Sequence, residues 1–266
     1  SSSAAFEVLL GTILNHLFND GKVSDVEIAQ IAQAAENKFF GKPCGLLDQM
    51  TSSVGSFVEI DFADPAKPVI EKLDFDFASC GYALCIVDTG GSHSDLTDEY
   101  AAVRKEMESV AEYLGKSVLR EVDEDEFMKN IADIRSSCGD RAVLRAMHFY
   151  GDNARVEKQA AALKAGDFET FKKYIIESGR SSYMYNQNVY SCKKVSEQPV
   201  SLALSLSEKL LDGCGAWRVH GGGFAGTIQA FVPLNKLDEY KDLMEKVFGS
   251  GSCYILSVRP VGGVEL

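Results

Sequence analysis

The sequence predicts an α+β fold in two domains, on three observations. Helical periodicity fills most of the first forty residues and of 95–182, while extended segments cluster around 56–75, 82–88 and beyond 216. These elements come in mixed order, without the regular strand–helix alternation of a wound parallel sheet. No internal repeat or low-complexity linker interrupts the chain, and the boundary falls near 76–81, dividing residues 1–78 from 79–266.

In chain order, Val8, Leu9, Ile13, Leu14, Leu17 and Phe18 stand near helical spacing, so a buried helix follows the opening serines. Ser24 with Glu27 fits a capping box and starts a second helix running to about Lys38, with Ile28, Ile31, Ala32 and Ala35 on one face. Gly41–Gly45 is a loop, and 47–54 a short helix. Two extended segments, 56–61 and 69–75, are separated by a turn at Asp64, Pro65 and Pro68. Residues 82–88 are continuously apolar and read as a buried strand. A helix over 95–114 follows, then a largely helical stretch over 123–182 divided by Gly139, Gly151 and Gly166. Residues 183–200 are irregular and aromatic; Tyr183, Tyr185 and Tyr190 belong to a packed loop. The chain finishes as helix 201–212, strand 216–219, a glycine loop, strand 226–232, helix 235–248 and strand 253–259.

Composition narrows the function classes. A net charge of −12 with no dense Lys/Arg cluster argues against a nucleic-acid surface. No apolar run approaches the ~20 residues that span a bilayer, and no basic segment precedes the first apolar stretch as in a signal peptide. The seven cysteines show no CxxC or Cys/His ligand spacing, which reads as reduced thiols in a cytoplasmic protein. The chain starts without Met on Ser1-Ser2-Ser3, which reads as the tail of a longer motif and sets the expectation of a truncated chain.

Three stretches carry candidate chemistry. Ser1, Ser2 and Ser3 open a helix, where unsatisfied backbone N–H groups and partial positive charge suit a phosphate and hydroxyls suit a nucleotide's Mg²⁺; the plain alternative is an N-cap serine. Asp48, in Pro43-Cys44-Gly45-Leu46-Leu47-Asp48-Gln49, can orient a hydroxyl and take its proton during phosphoryl transfer; a helix-capping aspartate is the alternative. Glu36 on the preceding helix is a candidate Mg²⁺ ligand or a solvated glutamate. Gly221-Gly222-Gly223 allows close approach of backbone to a ligand, or simply a tight hairpin. No βαβ unit surrounds it, so it is not a dinucleotide fingerprint. His220 reads as structural. Tyr100 could meet a sugar or half-fill a core.

Taken together, these motifs resemble the GHMP kinase superfamily, and galactokinases in particular. Ser1-Ser2-Ser3-Ala4 resembles the end of a Gly-Leu-Ser-Ser-Ser-Ala phosphate loop; Pro43–Gln49 resembles the galactokinase signature; and Arg218-Val219-His220-Gly221-Gly222-Gly223-Phe224-Ala225-Gly226 resembles the third motif. His93–Tyr100 with Arg104 is similar to a further galactokinase stretch. The resemblance implies a two-domain α+β kinase, with a ferredoxin-like C-terminal domain, an incomplete N-terminal domain and an active site between domains. It implies ATP and Mg²⁺ as cofactors, Asp48 as the catalytic carboxylate, Ser2 and Glu36 on the metal, and Ser1, Ser2 and Ser3 on the nucleotide phosphates. Gly45, Tyr100, Gly222 and Gly223 fall at or beside the sugar, and the activity implied is phosphorylation of galactose at its anomeric hydroxyl.

The sequence departs from the family pattern in three places. The Gly-Glu-His-Thr-Asp-Tyr sugar motif is not among these residues, Asn186–Ser191 replaces the usual Tyr-x-Val-Ser segment, and His220 and Ala225 stand where Thr and Gly are usual. A kinase for another sugar (N-acetylgalactosamine, L-arabinose) and a non-catalytic sugar/ATP sensor are therefore the alternative readings. The 266 residues alone are expected to be inactive, and to self-associate through sheet edges left open.

Overall fold

The computed structural model describes residues 2–41, 44–64, 66–91 and 96–264. The chain divides into two compact units, residues 1–75 with 258–266, and residues 76–257. The last nine residues thus belong to the first unit, whereas the sequence reading left them in the second.

In the first unit, α1 (Ser2–Asn19), α2 (Asp25–Ala34) and α3 (Leu47–Val54) pack beside a hairpin of β1 (Phe57–Asp61) and β2 (Val69–Leu73), paired antiparallel from Phe57↔Leu73 to Asp61↔Val69. The predicted capping box is present: Ser24 accepts from the Glu27 N–H, and Glu27 accepts from the Ser24 N–H. The core is small, built from Val8, Ile28 and Ala32 on one side and Ala29, Leu46 and Met50 on the other.

The expectation of a buried apolar stripe on α1 is corrected. Its buried positions are Ala4, Val8, Thr12 and Asn15, whereas Leu9, Ile13, Leu14, Leu17 and Phe18 are exposed. Hydrogen bonding explains the choice of face. Asn15 exchanges two bonds with the Val23 backbone, at 2.9 and 3.0 Å, and Thr12 Oγ1 donates to the Val8 carbonyl. Small and polar side chains bring α1 close to its neighbours, and the apolar residues lie on its other faces. Ile31, expected on the inner face of α2, is likewise exposed.

Residues 258–264 close this unit. The Ser56 N–H donates to the Arg259 carbonyl at 2.7 Å, and Lys72 Nζ to the Pro260 carbonyl at 2.6 Å. Gly55 has φ +69°, and a Cβ there would lie 2.3 Å from the Val261 carbonyl carbon, so the returning segment passes where only glycine fits.

The second unit is built on an antiparallel sheet of order β4-β5-β3-β6, made from β3 (Tyr82–Asp88), β4 (Ala216–Val219), β5 (Thr227–Pro233) and β6 (Cys253–Leu256). Helices separate β3 from β4, and α10 (Leu237–Phe248) separates β5 from β6, which is the ferredoxin-like β-α-β-β-α-β pattern. One sheet face buries Ala83, Cys85, Val87, Trp217, Val219, Ile228, Ala230 and Val232 against α9 (Pro199–Leu211) and α10. A second cluster joins α4 (Thr97–Tyr113), α5 (Glu124–Lys129), α6 (Ile131–Cys138) and α7 (Asp140–Lys164) through Val110, Phe127, Ile134 and Ala146. The helix α8 (Phe168–Ser181) packs against both α7 and β4.

The α+β expectation holds, with two local corrections. Gly151 lies inside α7 rather than dividing the region, because a helix interior tolerates one glycine at a cost of about 1 kcal/mol. The final strand stops at Leu256 rather than 259, since the chain there leaves the sheet for the first unit.

Candidate functional site

Two sets of predicted residues stand out, one in each unit. In the first unit, α2 widens into a π-turn over Ala35–Phe40, which the Gly41 N–H closes on the Glu36 carbonyl with Gly41 at φ +76°. π-turns of this kind recur at functional sites because the added residue re-aims side chains. Here Glu36 is turned inward to 2 % exposure and Asn37 outward to the following loop.

Glu36 is held from both sides. Ser3 Oγ donates to its Oε1 and Gln49 Nε2 to its Oε2, each at 3.0 Å. Ser2, the residue the family resemblance pairs with Glu36, is exposed at the start of α1. Ser1, and Lys42 and Pro43 of the Asp48 loop, lie outside the described residues. The far end of that loop is clamped. Cys44 N–H donates to Asn37 Oδ1 at 2.7 Å, while Asn37 Nδ2 and Gln33 Nε2 both donate to the Cys44 carbonyl. Burial, followed by the neighbouring Glu36, pushes the Cys44 thiol up, so it stays protonated. Sequence reasoning gave Gln33, Asn37 and Gln49 no role; the four-residue spacing of Gln33 and Asn37 before a glycine turn was the available signal.

Asp48 occupies the first turn of α3, exposed and with no side-chain partner among the described residues. Its neighbour Gln49 is 1 % exposed and anchored to Glu36, so the backbone under Asp48 is fixed while its carboxylate is open to solvent. Gly45 is exposed, with no atom within 4 Å of where a side chain would start.

The residues around Glu36 suit a hard cation and a phosphate. Two buried oxygens with no partner among the described residues, Glu7 Oε2 one turn along α1 from Ser3 and Gln49 Oε1 beside Glu36, add to the Ser3 hydroxyl and the Glu36 carboxylate. No group of three or more His, Cys, Asp or Glu forms a cage among the described residues. A Mg²⁺ ion takes one or two carboxylates and leaves its other positions to phosphate and water, so Glu36 with a serine hydroxyl would be the protein's share of such a site. The first N–H groups of α1 are those a phosphate would meet.

In the second unit, the predicted sugar residues form one cluster. Tyr100 on α4 donates its hydroxyl to the Gly223 carbonyl at 2.7 Å and meets Phe224 edge-on with ring centroids 5.4 Å apart. Burial raises the Tyr100 phenol, so it acts as a donor. A Cβ on Gly222 would touch the Tyr100 ring at 2.8 Å, and one on Gly223 (φ +82°) would lie 1.8 Å from the Asn188 carbonyl oxygen. That same carbonyl accepts from the Phe224 N–H at 2.5 Å, and Asn188 Nδ2 donates to the Gly222 carbonyl at 3.2 Å. The close approach allowed by Gly222 and Gly223 is therefore used by the protein's own Tyr100 and Asn188. Gly221 has open space around it. His220 is exposed and bonds Gln229 across the hairpin, in keeping with its structural reading. His93, Ser94 and Asp95 lie outside the described residues.

Comparison with known proteins places these motifs. Residues 1–56 match the family described as GHMP kinases N terminal domain. The chain is 30% identical over 244 residues to a galactokinase of Actinobacillus pleuropneumoniae, covering 92% of the chain and 60% of that protein. It is 31% identical to the Homo sapiens galactokinase, over all of the chain and 64% of the relative. The chain thus spans a little under two thirds of these relatives' length. Among solved structures, Lactococcus lactis galactokinase complexed with galactose superposes with a TM-score of 0.75 at 24% identity, over 100% of this chain and 67% of that one. A mevalonate kinase of L. major gives 0.60 at 14% identity over 98% and 66%. The first 56 residues thus match the GHMP kinases N-terminal domain family, the chain as a whole is similar in sequence to galactokinases, and its fold is that of the solved galactokinase.

Proposed function

We propose that the intact parent protein, of which these residues are part, transfers the γ-phosphate of ATP to the anomeric hydroxyl of a sugar, galactose before others, giving galactose 1-phosphate. The observation that carries this reading is the Ser3–Glu36–Gln49 chain, with Asp48 held open on the next residue. When bound, Mg²⁺ supplies charge neutralisation for the nucleotide's phosphates. Glu36, with a serine of the α1 terminus, would hold that ion, and the first N–H groups of α1 would receive the phosphate oxygens. Asp48 would orient the hydroxyl and take its proton as the new P–O bond forms and the bond to ADP breaks. The Cys44 clamp fixes the loop before Asp48, so positioning carries much of the work.

ADP release by the intact parent protein, with Mg-ATP and a panel of sugars, tests this. Galactose is expected to give the strongest release, and Asp48→Asn to lower the rate by about 10²-fold or more. An unchanged rate in Asp48→Asn overturns the role of Asp48; a different preferred sugar keeps the mechanism and moves the specificity. Sugar and ATP binding with no ADP release would make the protein a sensor. The family's Gly-Glu-His-Thr-Asp-Tyr sugar motif is not among these residues, so we propose that the 266 residues alone do not turn over.

A further inference from the structure

β4 is an edge strand of the second unit's sheet, and its free side opens into a cavity of about 340 Å³. The cavity lies between α8 and α9, separate from the glycine-loop cluster. Its walls are Ile176, Leu204, Trp217 and Met184, an apolar surface, with Arg218, Ser201 and Ser205 supplying polar groups and Arg180 and Glu208 at the mouth. A glycine makes the wall possible: a Cβ on Gly179 would touch the Arg218 Cβ at 2.9 Å.

Arg218 is the unusual group. Its guanidinium donates through Nη1 to Ser178 Oγ at 2.8 Å and through Nε to the Val219 carbonyl at 3.1 Å, both neutral acceptors. No carboxylate among the described residues pairs with it. Asp152, which attracts it from a distance, is already bonded by Arg155 at 2.8 Å and faces His148 at 3.6 Å. A desolvated cation without a counter-ion is costly, and an anion entering its cavity would gain charge-assisted hydrogen bonds there. Ser201 Oγ is buried with no partner among the described residues, a second polar group left without a use. At the mouth, Arg180 and Glu208 stand 4.0 Å apart and largely exposed, so the Glu208 charge is screened and offset.

We propose that this cavity is a binding site for a small anion with an apolar body, its carboxylate or phosphate directed at Arg218 and Ser201 and its body against Trp217. The site goes beyond the phosphotransfer reading and needs none of that reaction's residues. β4 runs straight from Trp217 and Arg218 into Gly221–Gly223, so occupancy would be felt by the strand that carries the glycine loop.

Trp217 is the sole tryptophan of the 266 residues, so its fluorescence reports on the cavity directly. Phenyl phosphate, benzoate and uncharged benzyl alcohol are titrated into the protein without ATP or sugar. At least one anion is expected to give a saturable change in emission, with benzyl alcohol weaker by about tenfold or more; whichever anion binds tighter identifies the head group. Ser205→Phe, which fills the cavity from an exposed position, and Arg218→Gln are each expected to weaken anion binding by about tenfold. The proposal is overturned if no anion gives a saturable response, if benzyl alcohol binds as well as the anions, or if Ser205→Phe binds them like the parent protein. Since Arg218 is half-buried and hydrogen-bonded to Ser178, circular dichroism of Arg218→Gln is recorded alongside, and Ser205→Phe decides if that variant unfolds.

Discussion

The two glycine-bearing loops look alike in sequence and differ in what surrounds them. Around Gly41 and Gly45 there is open space, and the loop is steered from outside by side chains of the π-turn and α2, Asn37 and Gln33. Around Gly222 and Gly223 the space is filled by the Tyr100 ring and the Asn188 backbone. Gly41 and Gly45 stand in the open, beside backbone clamped at Cys44; Gly222 and Gly223 are packed into the protein itself. A glycine run signals that something comes close, and only the fold says whether that something is a ligand or the protein.

Substitutions can break this comparison. The largest effect is expected for Gly223→Ala, where a left-handed φ and a 1.8 Å approach to Asn188 combine to destabilise the second unit by about 3 kcal/mol or more, read by urea unfolding. Tyr100→Phe removes one hydrogen bond to the same loop and should cost about 1 kcal/mol. Gly41→Ala should cost a similar ~1 kcal/mol through φ alone, as nothing obstructs its Cβ. Gly45→Ala should leave stability within about 0.5 kcal/mol, and a raised KM for sugar when the same change is made in the intact parent protein would mark the open space as a binding surface. If Gly45→Ala proved as destabilising as Gly223→Ala, the contrast between the loops would fail.

Acid should separate the two units further. In the second, His148 is buried against Ser181 and its imidazole is held below its ordinary 6.5 by that burial. The unfolded chain then binds the proton more readily, so stability falls as pH drops through 6.5 toward the folded value. In the first unit, Glu27 is held below its ordinary 4.5 by the Ser24 cap, so that loss begins only below 4.5. Thermal unfolding from pH 7 to 4 checks the order, and His148→Asn should flatten the earlier loss.

Much of this architecture was legible in the sequence. The capping box at Ser24 and the apolar run at 82–88 are local signals, and both produced the expected element. The face of α1 was not legible, because Asn15 and Thr12 are buried for their hydrogen bonds while Leu14 and Phe18 are exposed, and periodicity counts only apolarity. Glu36 and Asp48 could be named from their motifs, but their opposite environments could not. The π-turn that turns Glu36 inward depends on where Gly41 ends the helix. The Asn188 anchor was hidden because its contact is made by backbone, which carries no residue-type signal.

The return of residues 258–264 to the first unit has a consequence for biosynthesis. Ser56 and Lys72 leave the ribosome about two hundred residues before their partners Arg259 and Pro260. The second unit is contiguous in the chain and can fold as it emerges, whereas the first must wait, open at α3 and at the start of its hairpin, until residues 258–264 are released. Closing that long loop adds only a modest entropic penalty, since the penalty grows with the logarithm of length. What it fixes is order in time: the first unit can be completed only after the whole of the second has been made.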